Sequence, residues 1–194
     1  MDWEVPNEPP AIKMIEIPRF KVSPVASLLP NLGSPVVSQS QKYYAFESEE
    51  LKMYNQGFVV YETTLTKRVY YFKATVRDFG IILLDDVFVA SADRSINSVQ
   101  NFTVNCQAVS CNLKIIVEAM GHINYAHEMA KDIKGLFNIT DDLGVSFVWN
   151  MYRIPIDALL LTWSNFQPKL LNQPTLLKSV IMLPTAADTY MDMS

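Results

Sequence analysis

Both histidines of the chain lie in one short polar segment, which makes this segment the first place to look for chemistry. His122 and His127 are five positions apart, and Glu128 and Asp132 are two further potential metal ligands. A zinc site needs three or four such ligands at characteristic spacings, and this segment matches none of those spacings. We therefore interpret the histidines as loop residues bonded to backbone or solvent, and we predict no metal ion and no cofactor.

Two pairs of adjacent aspartates lie at predicted turns, Asp85-Asp86 and Asp141-Asp142. Glycoside hydrolysis uses two carboxyl groups that face one sugar at a separation of roughly 5 to 9 Å. Neighbouring residues of an extended chain point to opposite faces, so neither pair converges on one bond. We interpret both pairs as solvated turn acids.

Other reaction types find no better support in the residues. No serine or cysteine stands in a nucleophile elbow, and the six glycines are scattered singly instead of forming a phosphate loop. We therefore predict no catalytic residue and no cofactor-binding residue. Exposed aromatic rings could stack on a sugar, and the candidates are Trp3, Trp163, Tyr43 and Tyr44, although aromatic residues more often belong to a core.

The composition is that of a globular chain of ordinary domain size. Of its 194 residues, 49% are hydrophobic and 19% are charged. The net charge of −4 comes without any basic block, which argues against nucleic acid as a partner. No apolar run reaches the roughly 18 residues of a transmembrane segment. The first ten residues lack the basic and apolar regions of a secretory signal.

From Gly57 onward the sequence changes to short runs rich in β-branched and aromatic residues. Turn-prone residues separate these runs, for example Thr66-Lys67 and Arg77-Asp78. Short strands at this spacing, without helical periodicity between them, predict an all-β antiparallel sandwich or jelly roll. The predicted strands span residues 57–65, 69–76, 80–84, 87–90, 102–104, 113–117, 135–139 and 145–156.

Side-chain alternation identifies part of the core of this sandwich. Leu113, Ile115 and Val117 alternate with other residues and give one strand a wholly apolar face. In the last predicted strand the expected core members are Trp149, Tyr152 and Ile154.

The segments that flank the sandwich have a different composition. Seven prolines among the first 35 residues predict an extended arm, and we expect this arm to dock on its own domain or on a partner. Residues 46–50 can start a short helical turn. We divide the chain into an arm (1–40), a β-sandwich domain (41–156) and a C-terminal extension (157–194), which is apolar but broken by proline.

Cysteine and asparagine residues leave two questions open. Cys106 and Cys111 lie in a predicted hairpin, where a disulfide and two free thiols are equally compatible with the spacing. Asn101-Phe102-Thr103 and Asn138-Ile139-Thr140 have the form of glycosylation acceptors. Such triplets often arise by chance, and without a signal peptide they indicate ancestry more than present location.

Several segments carry a resemblance to one family. Residues 57–65, GFVVYETTL, resemble the motif GFVLYRTTL, with Glu62 in the place of arginine. Residues 117–126, VEAMGHINYA, are similar to VENMGRVNYG, with His122 for arginine and Ala126 for glycine. These are motifs of the family-35 glycoside hydrolases, the acid β-galactosidase type.

Further segments extend this resemblance over nearly the whole chain from about Pro9. Residues 76–86 resemble the DRA-V-VDG strand and turn, with Asp86 for glycine, and residues 132–135 resemble DRKG, with Ile133 for arginine. The proline-rich arm looks like the linker that leaves the family's catalytic barrel. Residues 174–194 look like the opening of its next β domain.

The resemblance implies a galactose-binding-domain-like jelly roll without the catalytic barrel, which alone takes about 250 residues. The family's two catalytic glutamates then lie outside this sequence, and we expect the chain not to be an enzyme. The first hypothesis is a scaffolding subunit that binds other protein subunits, one of which completes the second β domain. The alternatives are an accessory portion of an active β-galactosidase and a lectin-like galactoside binder.

The two indications of location disagree. The family resemblance implies a secretory or lysosomal protein, whereas the lack of a signal sequence favours an intracellular or organellar one. The sequence therefore predicts no compartment.

Overall fold

Two long antiparallel strands, β3 (Gly57–Arg77) and β6 (Gln100–Glu118), form the centre of the fold. The structure is a computed structural model that describes residues 19–27, 29, 32–53, 57–155 and 174–180. A 3₁₀ helix, Ala126–Lys131, lies in the loop that follows β6. The other strands are β1 (Ser23–Ser27), β2 (Val37–Ser40), β4 (Phe79–Leu84), β5 (Val87–Asp93), β7 (Gly135–Thr140), β8 (Trp149–Pro155) and β9 (Thr175–Lys178).

Seven of these strands belong to one antiparallel sheet, in the order β2-β8-β3-β6-β4-β5, with β7 also paired to β3. The first residues of β3 pair with β8, from Gly57 opposite Pro155 to Glu62 opposite Asn150. The end of β3 pairs with β7, so that Arg77 lies opposite Gly135. One strand therefore contributes to two different regions of the sheet. The all-β sandwich prediction is confirmed.

A bend in the β3–β6 ribbon produces the two layers. The register of β3 against β6 shifts between Thr66 and Arg68. Residues near the start of β3 and just after its end both bond to Glu118, the last residue of β6. Phe58 is its direct strand partner, while the N–H of Asp78 donates to its carbonyl at 3.1 Å. The predicted turn at Thr66-Lys67 is wrong, because a β-bulge bends a strand strongly without ending it.

The cysteines mark the same bend on β6. Cys106 and Cys111 are not on two strands of a hairpin but within one strand, and they form a disulfide. Both are buried, whereas residues 107–110 between them are exposed. The bond therefore closes the bulge that turns β6 from one layer to the other.

The main core lies between the layers and includes Tyr61, Phe72, Leu113, Ile115 and Trp149. A second apolar cluster covers the outer face of the β8-β3-β6-β4 region. This explains why residues 113–117 are buried on both faces of the strand, whereas the alternation in sequence predicted only one buried face. Among the predicted core residues Trp149 and Ile154 are buried, and Tyr152 is partly buried. The second cluster contains Leu29, Val60, Leu83, Ile116 and Ile154.

Segments near both ends of the chain pair with each other. Strand β1 runs antiparallel to β9 in a separate two-stranded sheet, while β2 adds to the edge of the large sheet. Residues 46–51 form consecutive turns. Predictions for residues 1–18, 156–173 and 181–194 lie outside the described residues. Within the described residues, no helix is long and apolar enough to span a membrane.

Candidate functional site: a buried ion network

The strand pairings bring four charged residues together at one end of the sandwich. Asp78 directly follows β3, and Arg94 directly follows β5. Asp132 and Lys134 lie just before β7. Because β3 ends beside the start of β7, residues that are far apart in sequence become neighbours.

These four side chains form a closed set of ion pairs. The ammonium of Lys134 lies 2.8 Å from Oδ2 of Asp78 and 2.9 Å from Oδ2 of Asp132. The guanidinium of Arg94 lies 2.7 Å from Oδ1 of Asp78 and 2.6 Å from Oδ1 of Asp132. Two cations therefore balance two carboxylates in a region where Asp78, Asp132 and Lys134 are buried.

The network also holds the backbone of the β6–β7 loop, residues 119–134. The N–H of Met120 donates to Oδ2 of Asp78 at 2.9 Å, and the N–H of Ile123 donates to Oδ2 of Asp132 at 2.9 Å. All four carboxylate oxygens thus accept at least one hydrogen bond from Lys134, Arg94 or the backbone. The loop is tied to the sandwich by charge-assisted bonds, the stronger kind.

Both carboxylates have pKa values below their ordinary range. Burial alone raises the pKa of Asp132, but hydrogen bonds from Ile123, Lys134 and Arg94 outweigh burial and lower this pKa strongly. For Asp78 burial again raises the pKa, while Lys134, Arg94 and the backbone N–H of Met120 lower it overall. A general acid or base works best with a pKa near the working pH. These carboxylates are therefore fixed as anions and suit a structural role.

His122, where the family motif has arginine, lies at the exposed edge of this network. Its Nδ1 is 3.0 Å from the carbonyl oxygen of Asp132, and its Nε2 is 3.8 Å from a carboxylate oxygen of Glu47. The expected backbone-bonded histidine is thus present at His122, while His127 is exposed. The side chain of Glu128 lies outside the described part of the structure.

No group of three potential metal ligands occurs among the described residues. The carboxylate of Asp132, one of the ligands considered from sequence, faces Arg94 and Lys134. Its charge is thus already balanced by side chains.

Gly135 allows the loop to return closely onto the core. Its φ is +123°, and a Cβ at this position would lie 2.6 Å from the hydroxyl oxygen of Tyr61. That hydroxyl donates to the carbonyl of Tyr44 at 2.7 Å and accepts from the N–H of Leu136. Burial raises the pKa of Tyr61, so this phenol stays protonated. Only glycine fits both the conformation and the space.

The aspartates at the β4–β5 turn are exposed (Asp85) or partly exposed (Asp86), as expected of turn acids, and both also bond to β6. Oδ1 of Asp85 accepts the N–H of Asn112 at 2.7 Å, and Oδ1 of Asp86 lies 2.5 Å from the ammonium of Lys114. Both aspartates have positive φ, at 49° and 65°, as a tight hairpin turn requires. Asp86 thus keeps a conformation natural to the glycine of the family motif, and aspartate tolerates it better than most residues do.

Glu62, a second departure from the family motifs, contacts the same lysine. Its Oε1 is 3.7 Å from the ammonium of Lys114 and accepts from Asn112 at 2.6 Å. Its Oε2 accepts the hydroxyl of Tyr152 at 2.6 Å. Two substitutions 24 positions apart therefore meet in one polar cluster on the outer face of the sheet.

In the second aspartate pair the interpretation as a solvated acid is wrong for Asp141, whereas Asp142 is exposed. Asp141 is buried and pairs with Arg68, whose guanidinium carbon lies 4.0 Å from the ring centre of Tyr70. Tyr43 and Tyr44 are partly buried and pack on the main core. Trp3 and Trp163 lie outside the described residues.

Sequence reasoning missed the network because its members are spread over 57 positions, from Asp78 to Lys134. One signal was present, because Asp78, Asp132 and Lys134 fall inside the motifs that carry the family resemblance.

The bent two-layer sheet and its internal network define a structural β-sandwich domain. Residues 46–155, more than half of the chain, match the model for the β-galactosidase first all-beta domain, and the chain belongs to this family. A search of curated proteins finds no match to the chain.

Proposed function

We propose that this chain is a non-catalytic, family-35-type β-galactosidase sandwich that serves as a scaffolding subunit of a larger protein assembly. The observation that carries the proposal is the set of exposed apolar side chains on the β6–β7 loop. Tyr125 is 80% exposed and Met120 is 67% exposed. Ile123, Met129 and Ile133 of the same loop are also exposed.

Two features make this loop a candidate docking surface. Exposed apolar residues that stand singly are common, but five of the fourteen residues from Met120 to Ile133 are exposed and apolar. The ion network fixes the backbone at Met120 and Ile123, which lowers the entropy lost when a partner binds. The partner expected here is a protein with a complementary apolar surface.

The test uses the full chain, tagged and purified under native conditions from the cells that make it, with partners identified by mass spectrometry. A Met120→Lys/Tyr125→Lys variant should lose the partner that the original chain retains. The control is Val109→Lys, because Val109 is 87% exposed but lies at the bend, nine residues or roughly 30 Å from the end of β6. A monomeric chain that copurifies with nothing, or equal loss in both variants, would contradict the proposal.

The family match favours a second candidate, an accessory domain of an active β-galactosidase. In this arrangement the loop would contact a catalytic barrel of the same polypeptide instead of a separate subunit. Sequencing the complete transcript distinguishes the two, since a barrel-encoding region directly upstream supports the second candidate and excludes the first.

A further inference from the structure

We propose that one outer face of the sandwich carries two N-linked glycans, attached to Asn101 and Asn138. The inference goes beyond the scaffolding role and rests on a different face of the molecule. Asn101-Phe102-Thr103 lies in β6, and Asn138-Ile139-Thr140 lies in β7. These are the two acceptor triplets of the chain.

Both triplets present their acceptor groups in the same way. In each, the asparagine and the threonine are exposed, while the middle residue, Phe102 or Ile139, is buried. In β6 this follows from the period of two, which places Asn101 and Thr103 on one face. The amide and the hydroxyl that a glycosyl transferase must reach together are thus on the surface side of the strand.

In β7 a β-bulge, and not regular alternation, exposes Asn138. Its φ is +49°, and the register of β7 against β3 shifts between Phe137 and Thr140. This bulge adds one residue and turns the asparagine outward, and asparagine is one of the few residues that tolerates positive φ.

The two sites belong to one surface because β3 lies between their strands. Lys73 of β3 pairs with Asn101 on one side and with Thr140 on the other. Tyr71, two positions earlier on β3, is 58% exposed and lies opposite Thr103. A glycan on Asn101 would cover this ring, which shares its face of β3 with Lys73 and the exposed Val69.

The disulfide is an independent observation that points to the same modification. Both cysteines of the chain, Cys106 and Cys111, are bonded to each other. Disulfides form and persist in oxidising compartments, which include those where N-glycosylation takes place. A chain that forms this bond in a eukaryotic secretory pathway would also meet the transferase.

The chemistry requires an oligosaccharide linked to a lipid diphosphate as the donor. The side-chain amide nitrogen of asparagine forms a bond to the anomeric carbon of the first sugar, and the bond from that carbon to the diphosphate oxygen breaks. The lipid diphosphate leaves with the electron pair, and the amide proton passes to a base of the transferase. No oxidation or reduction takes place.

The test expresses the full chain behind a secretion leader in eukaryotic cells and maps glycans by mass spectrometry with and without peptide N-glycosidase. We expect two occupied sites, one in Thr103→Ala, one in Thr140→Ala and none in the double variant. Thr103→Ser and Thr140→Ser are the matched controls and should keep both glycans. Secreted, disulfide-bonded chain without glycan at both asparagines would overturn the proposal, and occupancy of one alone would overturn the two-glycan face.

Discussion

Lys134 and Asp78 form an ion pair inside the protein, with Nζ of the lysine 2.8 Å from Oδ2 of the aspartate. The lysine side chain is 2% exposed, and 56 positions separate the two residues. The pair connects the end of β3 with the start of β7, and so with the β6–β7 loop. Loss of this ion pair should therefore weaken the attachment of the loop to the sandwich.

Replacing Lys134 should destabilise the fold, because it leaves a buried negative charge without a cation. Lys134→Met leaves Asp78 and Asp132 with one cation, Arg94, and should lower the free energy of unfolding by about 3 to 5 kcal/mol in urea at pH 7. Lys67→Met at the exposed bend is the control and should stay within about 0.5 kcal/mol. Similar losses in both variants would show that the network does not stabilise the fold.

The network also predicts how stability depends on acid. The native pKa values of Asp132 and Asp78 are lowered, whereas the unfolded chain protonates aspartate near pH 4. Between the two pKa values the unfolded state binds more protons, so the free energy of unfolding should decrease as the pH falls below about 4.

This acid dependence can be assigned by substitution. Asp132→Asn should be less stable at pH 7 and should show a shallower decline in acid, measured by urea unfolding from pH 7 to pH 2.5. Asp142→Asn, which keeps both network carboxylates, should retain the full decline. An unchanged acid slope in Asp132→Asn would refute the assignment.

A third prediction concerns the return of the loop to the core. Gly135→Ala forces a side chain into a left-handed conformation and against the hydroxyl of Tyr61, so we expect a loss of roughly 3 to 5 kcal/mol. Gly121→Ala is the control, because its φ is +106° but its Cβ would meet no atom within 4 Å. It should lose only about 1 to 2 kcal/mol. Thermal unfolding of both variants separates backbone strain from steric contact.

The sandwich could be predicted from sequence because its signal is local. Alternation at Leu113, Ile115 and Val117 and the β-branched run from Gly57 identify strands from neighbouring residues alone. The bend could not be predicted, since Thr66 and Lys67 are ordinary turn residues whose strand conformation depends on pairing with β6. Local propensity yields to such tertiary pairing.

The candidate site was harder to predict for a related reason. Lys134 lies in the polar stretch Lys131-Asp132-Ile133-Lys134, which resembles an exposed loop, yet its ammonium is buried and pairs with Asp78 from a distant segment as well as with Asp132. Burial of a charge depends on partners that the local sequence does not reveal. The family motifs marked the position, but only the pairing of β3 with β7 explains it.

A final prediction concerns the polar cluster around Glu62 on the outer face. Burial, followed by the hydrogen bond to Glu62, raises the pKa of Tyr152 to about 12, while the unfolded phenol ionises near pH 10. The neutral phenol is therefore favoured in the folded state, and its contribution is fully present below about pH 10. Between pH 10 and 12 the unfolded chain holds fewer protons, so the free energy of unfolding should fall as the pH rises.

Tyr152→Phe tests this assignment because it removes the ionising group and keeps the ring. The variant should lose about 1.5 to 3 kcal/mol at pH 7, the usual contribution of a hydrogen bond to a charged group, and should show a shallower decline in alkali. Tyr71→Phe on the opposite, exposed surface is the matched control and should keep the full alkaline decline. Urea unfolding between pH 7 and pH 12 measures both. If the free energy of unfolding of Tyr152→Phe declines as steeply as that of the original chain, ionisation of Tyr152 is not the cause of the alkaline decline.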